Sequence, residues 1–376
     1  MRIGILTQPL HNNYGGLLQN YALQKVLRGL GHEVHTININ NRETSIFRRY
    51  ASILRKATQR LLGQNVRVRT WPTVKESELI SQNTRQFILK NIITTDLITR
   101  KVDTNLLNDY NFEAYIVGSD QVWRPKYSPQ LPTFFLDFLE SNTDVKKIAY
   151  AASFGVNDWE FTETQTENLK RLVKLFDAVS VREDSGVDLC NKYFGIDAAH
   201  LLDPTMLLNK DEYISLVEKE NIKESSGNLF TYILDSNNET NNIVDKIANK
   251  FNLKPFSVMQ PKRFSDKDRK GIDDCIFPSV EEWIRGFMDA EFVVTDSFHG
   301  TVFSILFEKQ FITIGNKERG LSRFDSLLRL FGLEDRLVKT ELDLSILEKK
   351  IIYEEVRQII KNLKSISLNF ILESLK

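Results

Sequence analysis

Short apolar runs that end in a polar or glycine-bearing turn and lead into a helical pattern recur along this chain. That recurrence narrows the possible folds more than any other feature. "RIGILT" (2–7) is followed by "NNYGGLLQNYALQKVLRGLGHEVHTININ", which reads as turn, helix and second strand. Leu18, Tyr21, Ala22, Leu23, Val26 and Leu27 give the helix an apolar stripe, and Gly31 ends it. Two strands joined through a helix pair in parallel, so the opening is a βαβ unit. "FEAYIVGSD" (112–120), "KIAYAASFG" (147–155) and "DAVSVRE" (177–183) continue the series. A second set comprises "NLFTYILD" (228–235), a helical pattern over 239–250, "KPFSVMQ" (254–260), the helix "SVEEWIRGFMDA" (279–290), "EFVVTDSFHG" (291–300) and "QFITIG" (310–315). Between the sets, "HLLDPTMLL" (200–208) is a short strand broken by Asp203-Pro204, as at a crossing between two halves.

The expected class is therefore α/β, in two successive sets that make two domains and a cleft between them possible. Residues 1–200 form the first domain, with a basic helical insert at 41–105, and residues 201–342 form the second. A helical tail, 343–376, packs back across the first domain. A chain of 376 residues is comfortable for two domains of ordinary size. Lys plus Arg equals Asp plus Glu at 50 each, so there is no general field for nucleic acid. Cys190 and Cys275 are far apart and outside any CxxC or Cys/His cluster, which excludes a zinc site and a disulfide framework. "MRIGILTQPL" is too short an apolar run for a signal peptide, and no window is long enough to cross a bilayer, so a cytoplasmic protein is expected. Residues 46–69 carry seven basic side chains and no acidic one around a helical apolar stripe. They read either as a solvated surface helix or as an attachment to an anionic membrane face or substrate.

Four constellations fall at the C-terminal ends of expected strands, where open α/β sheets hold ligands. Gly15-Gly16 lets backbone approach a ligand at a helix start, with Asn13 and Tyr14 as polar handles; glycine in a plain turn is the alternative. "IVGSDQVWRP" places Asp120, Gln121 and Trp123 in one loop, which suits a sugar face or, equally, a local core with a helix cap. Arg182 follows an apolar strand and can grip phosphate or carboxylate in a bidentate way, unless it pairs with Glu183 or Asp184. In "TDSFHG", Asp296, Ser297, His299 and Gly300 combine a titratable imidazole with helix-terminal donors. Lys317, Arg319 and Arg323 follow the strand at 310–315 and add positive charge, although arginines at helix starts are often merely solvated. "DKD" (266–268) lies in a polar run and reads as loop, and no Gx4GK[ST] or GxSxG string occurs.

"ILTQPLHNNYGGLLQNYAL", "YIVGSDQVWRP", "VSVREDS", "LLDPTMLL", "SVEEWI" and "VVTDSFHGTVFSILFEKQFI" together resemble the polysaccharide pyruvyl transferase family, over about residues 1–335 in the same order. The resemblance implies a GT-B-like pair of Rossmann-like domains with a C-terminal helix returning to the first. It also implies transfer of a pyruvyl group from phosphoenolpyruvate to two hydroxyls of a sugar as a cyclic ketal, in bacterial surface-polysaccharide assembly. His299 and Arg182 match the family's motif histidine and arginine. The family often has arginine or leucine before that histidine, whereas this chain reads Ser-Phe-His.

On that footing His299, Arg182, Asp120 and Asp296 are the expected catalytic set. Ser297, Gly300, Lys317, Arg319 and Arg323 are expected on the donor, and Asn13, Tyr14, Gly15, Gln121 and Trp123 on the acceptor. No metal or redox cofactor is required, and the partners are phosphoenolpyruvate and a sugar or lipid-linked oligosaccharide. Two other readings remain. One is a GT-B glycosyltransferase with a nucleotide-sugar donor, for which Glu281 or Glu282 would hold ribose hydroxyls. The other is a non-catalytic sugar- or anion-binding protein on the same scaffold.

Overall fold

A computed structural model describes residues 1–40, 55–60, 62, 69, 71–128, 130–266, 268–316, 320–339 and 342–376. Two parallel sheets organise them. The first runs β2-β1-β3-β4-β5-β6, from β1 (Arg2–Leu6), β2 (Glu33–Thr36), β3 (Ala114–Val117), β4 (Lys146–Ala152), β5 (Ala178–Val181) and β6 (Ala199–His200). The second runs β11-β10-β9-β7-β8, from β7 (Leu229–Tyr232), β8 (Pro255–Phe256), β9 (Phe292–Thr295), β10 (Gln310–Ile314) and β11 (Leu337–Val338). Every pairing is parallel, as strand–helix–strand connections require. The strand order reverses between β1 and β3 in one sheet and between β7 and β9 in the other. Those two switch points are where such sheets open crevices at their carboxyl ends.

Helix α1 (Tyr14–Gly29) starts at the first switch point, its N-cap Asn13 accepting from the Gly16 amide. Its apolar stripe does more than cover its own sheet. Tyr14, Leu17, Leu18 and Tyr21 belong to one continuous buried cluster with Phe230, Trp283, Phe287, Phe303 and Leu327 of the second half. The two domains thus share a core at the base of the cleft. The insert contributes α2 (Val74–Ile80) and α3 (Gln82–Asn91), which also reach the second half. The Ile80 carbonyl accepts from the Phe277 amide at 3.0 Å, Asn83 donates to the Phe277 carbonyl at 2.8 Å, and Phe87 packs edge-on to Tyr21. Residues 55–60 are helical, and most of the basic run 46–69 lies outside the described residues.

The remaining helices are α4 (Glu163–Val173), α5 (Asp184–Leu189), α6 (Lys210–Lys219), α7 (Asn238–Phe251), α8 (Val280–Asp289), α9 (Phe298–Leu306), α10 (Ser322–Leu330) and α11 (Tyr353–Ser374). The tail is not helical throughout: a 3-10 turn at Leu344–Glu348 precedes α11, because Asp343 caps that turn through the Ser345 amide. Helix α11 then returns to the first sheet, where Ile371 and Leu375 join Ile3, Ile5 and Ile116, and Ser367 meets the Leu202 amide. Among the described residues no helix is long and apolar enough to cross a membrane. Ile371→Ala should lower unfolding free energy in chemical denaturation by about 2–5 kcal/mol, as expected for truncating a buried core side chain.

Candidate functional site

The two switch points face each other, and the site lies between them. Ser297 caps α9 by accepting from the Gly300 amide at 3.4 Å, placing His299 in the first helical turn. Gly300 lets that turn sit on Thr295, since a Cβ there would collide with the threonine hydroxyl. His299 reaches across to the first domain and lies against the start of α1. A Cβ on Gly15 would fall on its imidazole, so this glycine exists for close approach.

Arg182, just beyond β5, has a side chain 1% exposed. Its Nη1 donates to Asp203 at 2.8 Å and to Ser119 Oγ at 3.3 Å, and its guanidinium covers the Phe298 ring at 4.2 Å. It therefore pairs with neither Glu183 nor Asp184. Glu183 instead accepts through Oε1 from Ser153 and from the amides of Phe154 and Gly155, while Asp184 pairs with Arg329. Nε and Nη2 of Arg182 are buried without a hydrogen-bond partner. Buried guanidinium donors left so are costly and mark a place for an anionic acceptor.

Arg323 is not a solvated residue: it is buried, with its guanidinium 5.6 Å from the same Phe298 ring. Burial, followed by repulsion from Arg182, pushes its pKa down to about 10. Two arginines lie over the Phe298 ring beside the histidine.

Asp203 was legible only as a break in the chain, yet it is the centre of the charge set. Its Oδ2 lies 3.4 Å from His299 Nε2 besides accepting from Arg182. Burial works to raise its pKa, but the charges of His299 and Arg182 and the Thr205 bond outweigh it and hold the carboxyl well below the usual range. A depressed carboxylate contributes stability that is present above the unfolded value of about 3.9 and is lost on acidification through the folded one.

Asp120 lies after β3 with φ +76°, a left-handed conformation unusual for a non-glycine residue. Its carboxylate accepts from Asn13 Nδ2 at 3.3 Å and from the Gln121 amide at 2.8 Å, with Oδ1 4.0 Å from Arg182 Nη2. Asn13, Gly15, Asp120, Arg182, Arg323, Ser297, His299 and Gly300 are thus brought together. Lys317 and Arg319 lie outside the described residues.

Three expected members have other work. Trp123 is fully buried, stacks on Phe135 at 4.8 Å and donates to the Phe134 carbonyl, so it is core and not a sugar platform. Tyr14 is buried between the domains, stacked on Trp283 and donating to the Pro278 carbonyl, so it fastens the junction and is no acceptor ligand. Both oxygens of Asp296 accept backbone amides, from Leu234 at 2.7 Å and Asp235 at 2.9 Å. This carboxylate shapes the loop after β7 and borders a polar cavity of about 290 Å³ with Asp235, Asn237, Thr240 and Asn316. Gln121 accepts from Arg124, which is itself clasped by Glu160. Glu282 closes the capping box of α8 with Ser279, and Glu281 is buried, its pKa raised by that burial.

A parallel-sheet pair with its switch points facing, and a histidine and arginines between them, defines a GT-B-fold protein. Two solved structures share this fold. One is a UDP-GlcNAc 2-epimerase from Neisseria meningitidis bound to UDP-GlcNAc, 9% identical, TM-score 0.56, matched over 100% of this chain and 99% of the other. The second is a putative UDP-N-acetylglucosamine 2-epimerase from Listeria monocytogenes, 8% identical, TM-score 0.52, over 100% and 95%. At such identity the likeness is one of fold. No curated protein matches the chain. The family model for polysaccharide pyruvyl transferase matches residues 13–318, so this chain belongs to that family.

Gly15→Ala should displace the imidazole. The fold should persist by circular dichroism, while any activity that depends on His299 falls by about tenfold or more, the usual range for misplacing an acid–base group.

Proposed function

We propose that this protein transfers the pyruvyl group of phosphoenolpyruvate to a sugar of a surface polysaccharide or its lipid-linked precursor, forming a cyclic ketal. The observation that carries this reading is the pair of buried arginines, Arg182 and Arg323, over the Phe298 ring beside His299, in a chain of the pyruvyl transferase family. Phosphoenolpyruvate brings a carboxylate and a phosphate, and two planar cations in a low-dielectric site match them. Helix α9 adds the positive end of its dipole at Ser297 to Gly300.

In the proposed reaction His299 gives a proton to the enol CH2 carbon, which becomes a methyl group and leaves C2 cationic. A sugar hydroxyl adds to C2 and loses its proton, with Asp120 as the accepting carboxylate. Phosphate then departs from C2 with its bonding electrons, and the second hydroxyl adds there, losing its own proton and closing the ketal. A positioned acid of this kind contributes about 10² to 10⁴ in rate. Asp296 is left out of the acid–base roles because both its oxygens already hold amides. Among the described residues, the cavity it borders carries Asp235, Glu239 and Asp296 and the single cation Lys339, a lining that suits uncharged sugar hydroxyls better than phosphate. Asn13 and Gln121 belong to the acceptor side from the first domain.

Calorimetric titration with phosphoenolpyruvate beside UDP and GDP tests the donor. Selective phosphoenolpyruvate binding is expected, weakened about 10- to 100-fold in Arg182→Ala and in Arg323→Ala, the range for losing a charged hydrogen-bond donor. Selective nucleotide binding would replace this reading with a glycosyltransferase. If the acceptor is lipid-linked, the basic segment 46–69 holds the enzyme at an anionic leaflet. Replacing Arg48, Arg49, Arg55 and Lys56 by Gln should then weaken binding to phosphatidylserine liposomes in a salt-dependent way; unchanged binding removes the membrane role.

A further inference from the structure

Asp203 is held more completely than a counter-ion needs to be. Oδ1 accepts from the Thr205 amide at 3.0 Å and from Thr205 Oγ1 at 2.7 Å. Oδ2 accepts from Ser119 Oγ at 3.1 Å and Arg182 Nη1 at 2.8 Å, and it faces His299 Nε2 at 3.4 Å, a charge contact outside hydrogen-bond geometry. With both oxygens tethered the carboxylate plane cannot turn, so the groups it contacts inherit its orientation. Those groups come from different parts of the chain: Arg182 from the end of β5, Asp203 from the segment joining the domains, and His299 from α9 of the second domain.

The surrounding charges do not duplicate its contacts. Asp120 comes no closer to Arg182 than 4.0 Å, Arg323 stands over Phe298, and Glu183 Oε1 is taken by Ser153, Phe154 and Gly155. Among the described residues only Asp203 forms an ion pair with both His299 and Arg182. Its bond is to one terminal nitrogen of Arg182, leaving Nε and Nη2 without hydrogen bonds on the same group, with Asp120 Oδ1 4.0 Å from Nη2.

We propose that Asp203 is the positioning residue of this site. It turns His299 Nε2 inward and pins Arg182 by Nη1, so that the remaining guanidinium donors stay free for an anionic substrate. This rests on the reading of the cleft as a phosphoenolpyruvate site. It adds that the cation of the first domain and the imidazole of the second are aligned through one carboxylate between them.

The test has a readout that needs no substrate. In wild-type protein a buried imidazole N–H proton, assigned through its loss in His299→Gln, should appear downfield in the proton NMR spectrum. Asp203→Asn should abolish or shift that signal by more than 1 ppm and weaken phosphoenolpyruvate binding by about tenfold. Thr205→Val, which leaves every charge in place and removes only one tether of Oδ1, should shift the same signal and raise KM for phosphoenolpyruvate, with Thr205→Ser restoring both. If Asp203→Asn does not fold, Thr205→Val and Ser119→Ala carry the decision. A His299 signal and a phosphoenolpyruvate affinity that stay within twofold of wild type in folded variants would overturn the proposal. Wild-type protein that binds no phosphoenolpyruvate, while the signal still responds to Asp203→Asn, would overturn the donor assignment and leave the positioning role standing.

Discussion

A single carboxylate taken out of water sets the terms for the rest of this structure. An isolated buried charge is costly enough that it must find partners, and Asp203 finds Arg182, Thr205, Ser119 and His299. The requirement runs the other way too. Arg182 is as buried as the aspartate and sits beside Arg323, so without a fixed negative charge two cations would face each other in a region closed to solvent. The local fold satisfies one of these charges completely and the other only in part. That asymmetry leaves Nε and Nη2 of Arg182 without hydrogen bonds at the cleft.

The domain junction explains how such a cluster is kept dry. Tyr14 and Trp283 stack across it, α1 shares its apolar stripe with helices α8 and α9, and the insert helices tie themselves to Phe277. Gly15 at the rim has no side chain, which admits the imidazole from the opposite domain. The polar contacts among Asn13, Asp120 and Arg182 are therefore laid on an apolar floor, and the strained backbone at Asp120 is held by its carbonyl, which accepts from the Val122 and Ser153 amides.

The sheets were legible because alternation of strand and helix is a local signal, repeated often enough to fix the class. Arg182, His299 and Asp120 were legible because each closely follows a strand, and Gly15 because it opens a helix. Asp203 was not, although it follows a strand as well: Asp before Pro reads as a turn, and nothing local reveals that two distant cations converge on it. Trp123 and Tyr14 misled for the converse reason. Their polar edges advertised binding, but the partners that use those edges, the Phe134 and Pro278 carbonyls, are chosen by packing. Arg323 shows the same limit, since a charged residue at a helix start gives no sign that an aromatic ring from another helix will bury it.

The returning helix α11 has a consequence for biosynthesis. Ile371 and Leu375 belong to the same buried cluster as Ile3, Ile5 and Ile116, so strand β1 is completed by a helix made only after the whole second domain. While a ribosome is still producing the second domain, the first carries an open apolar strip on one face. That strip stays exposed until α11 has been made, and docking of α11 becomes the event that commits the first domain to its final packing.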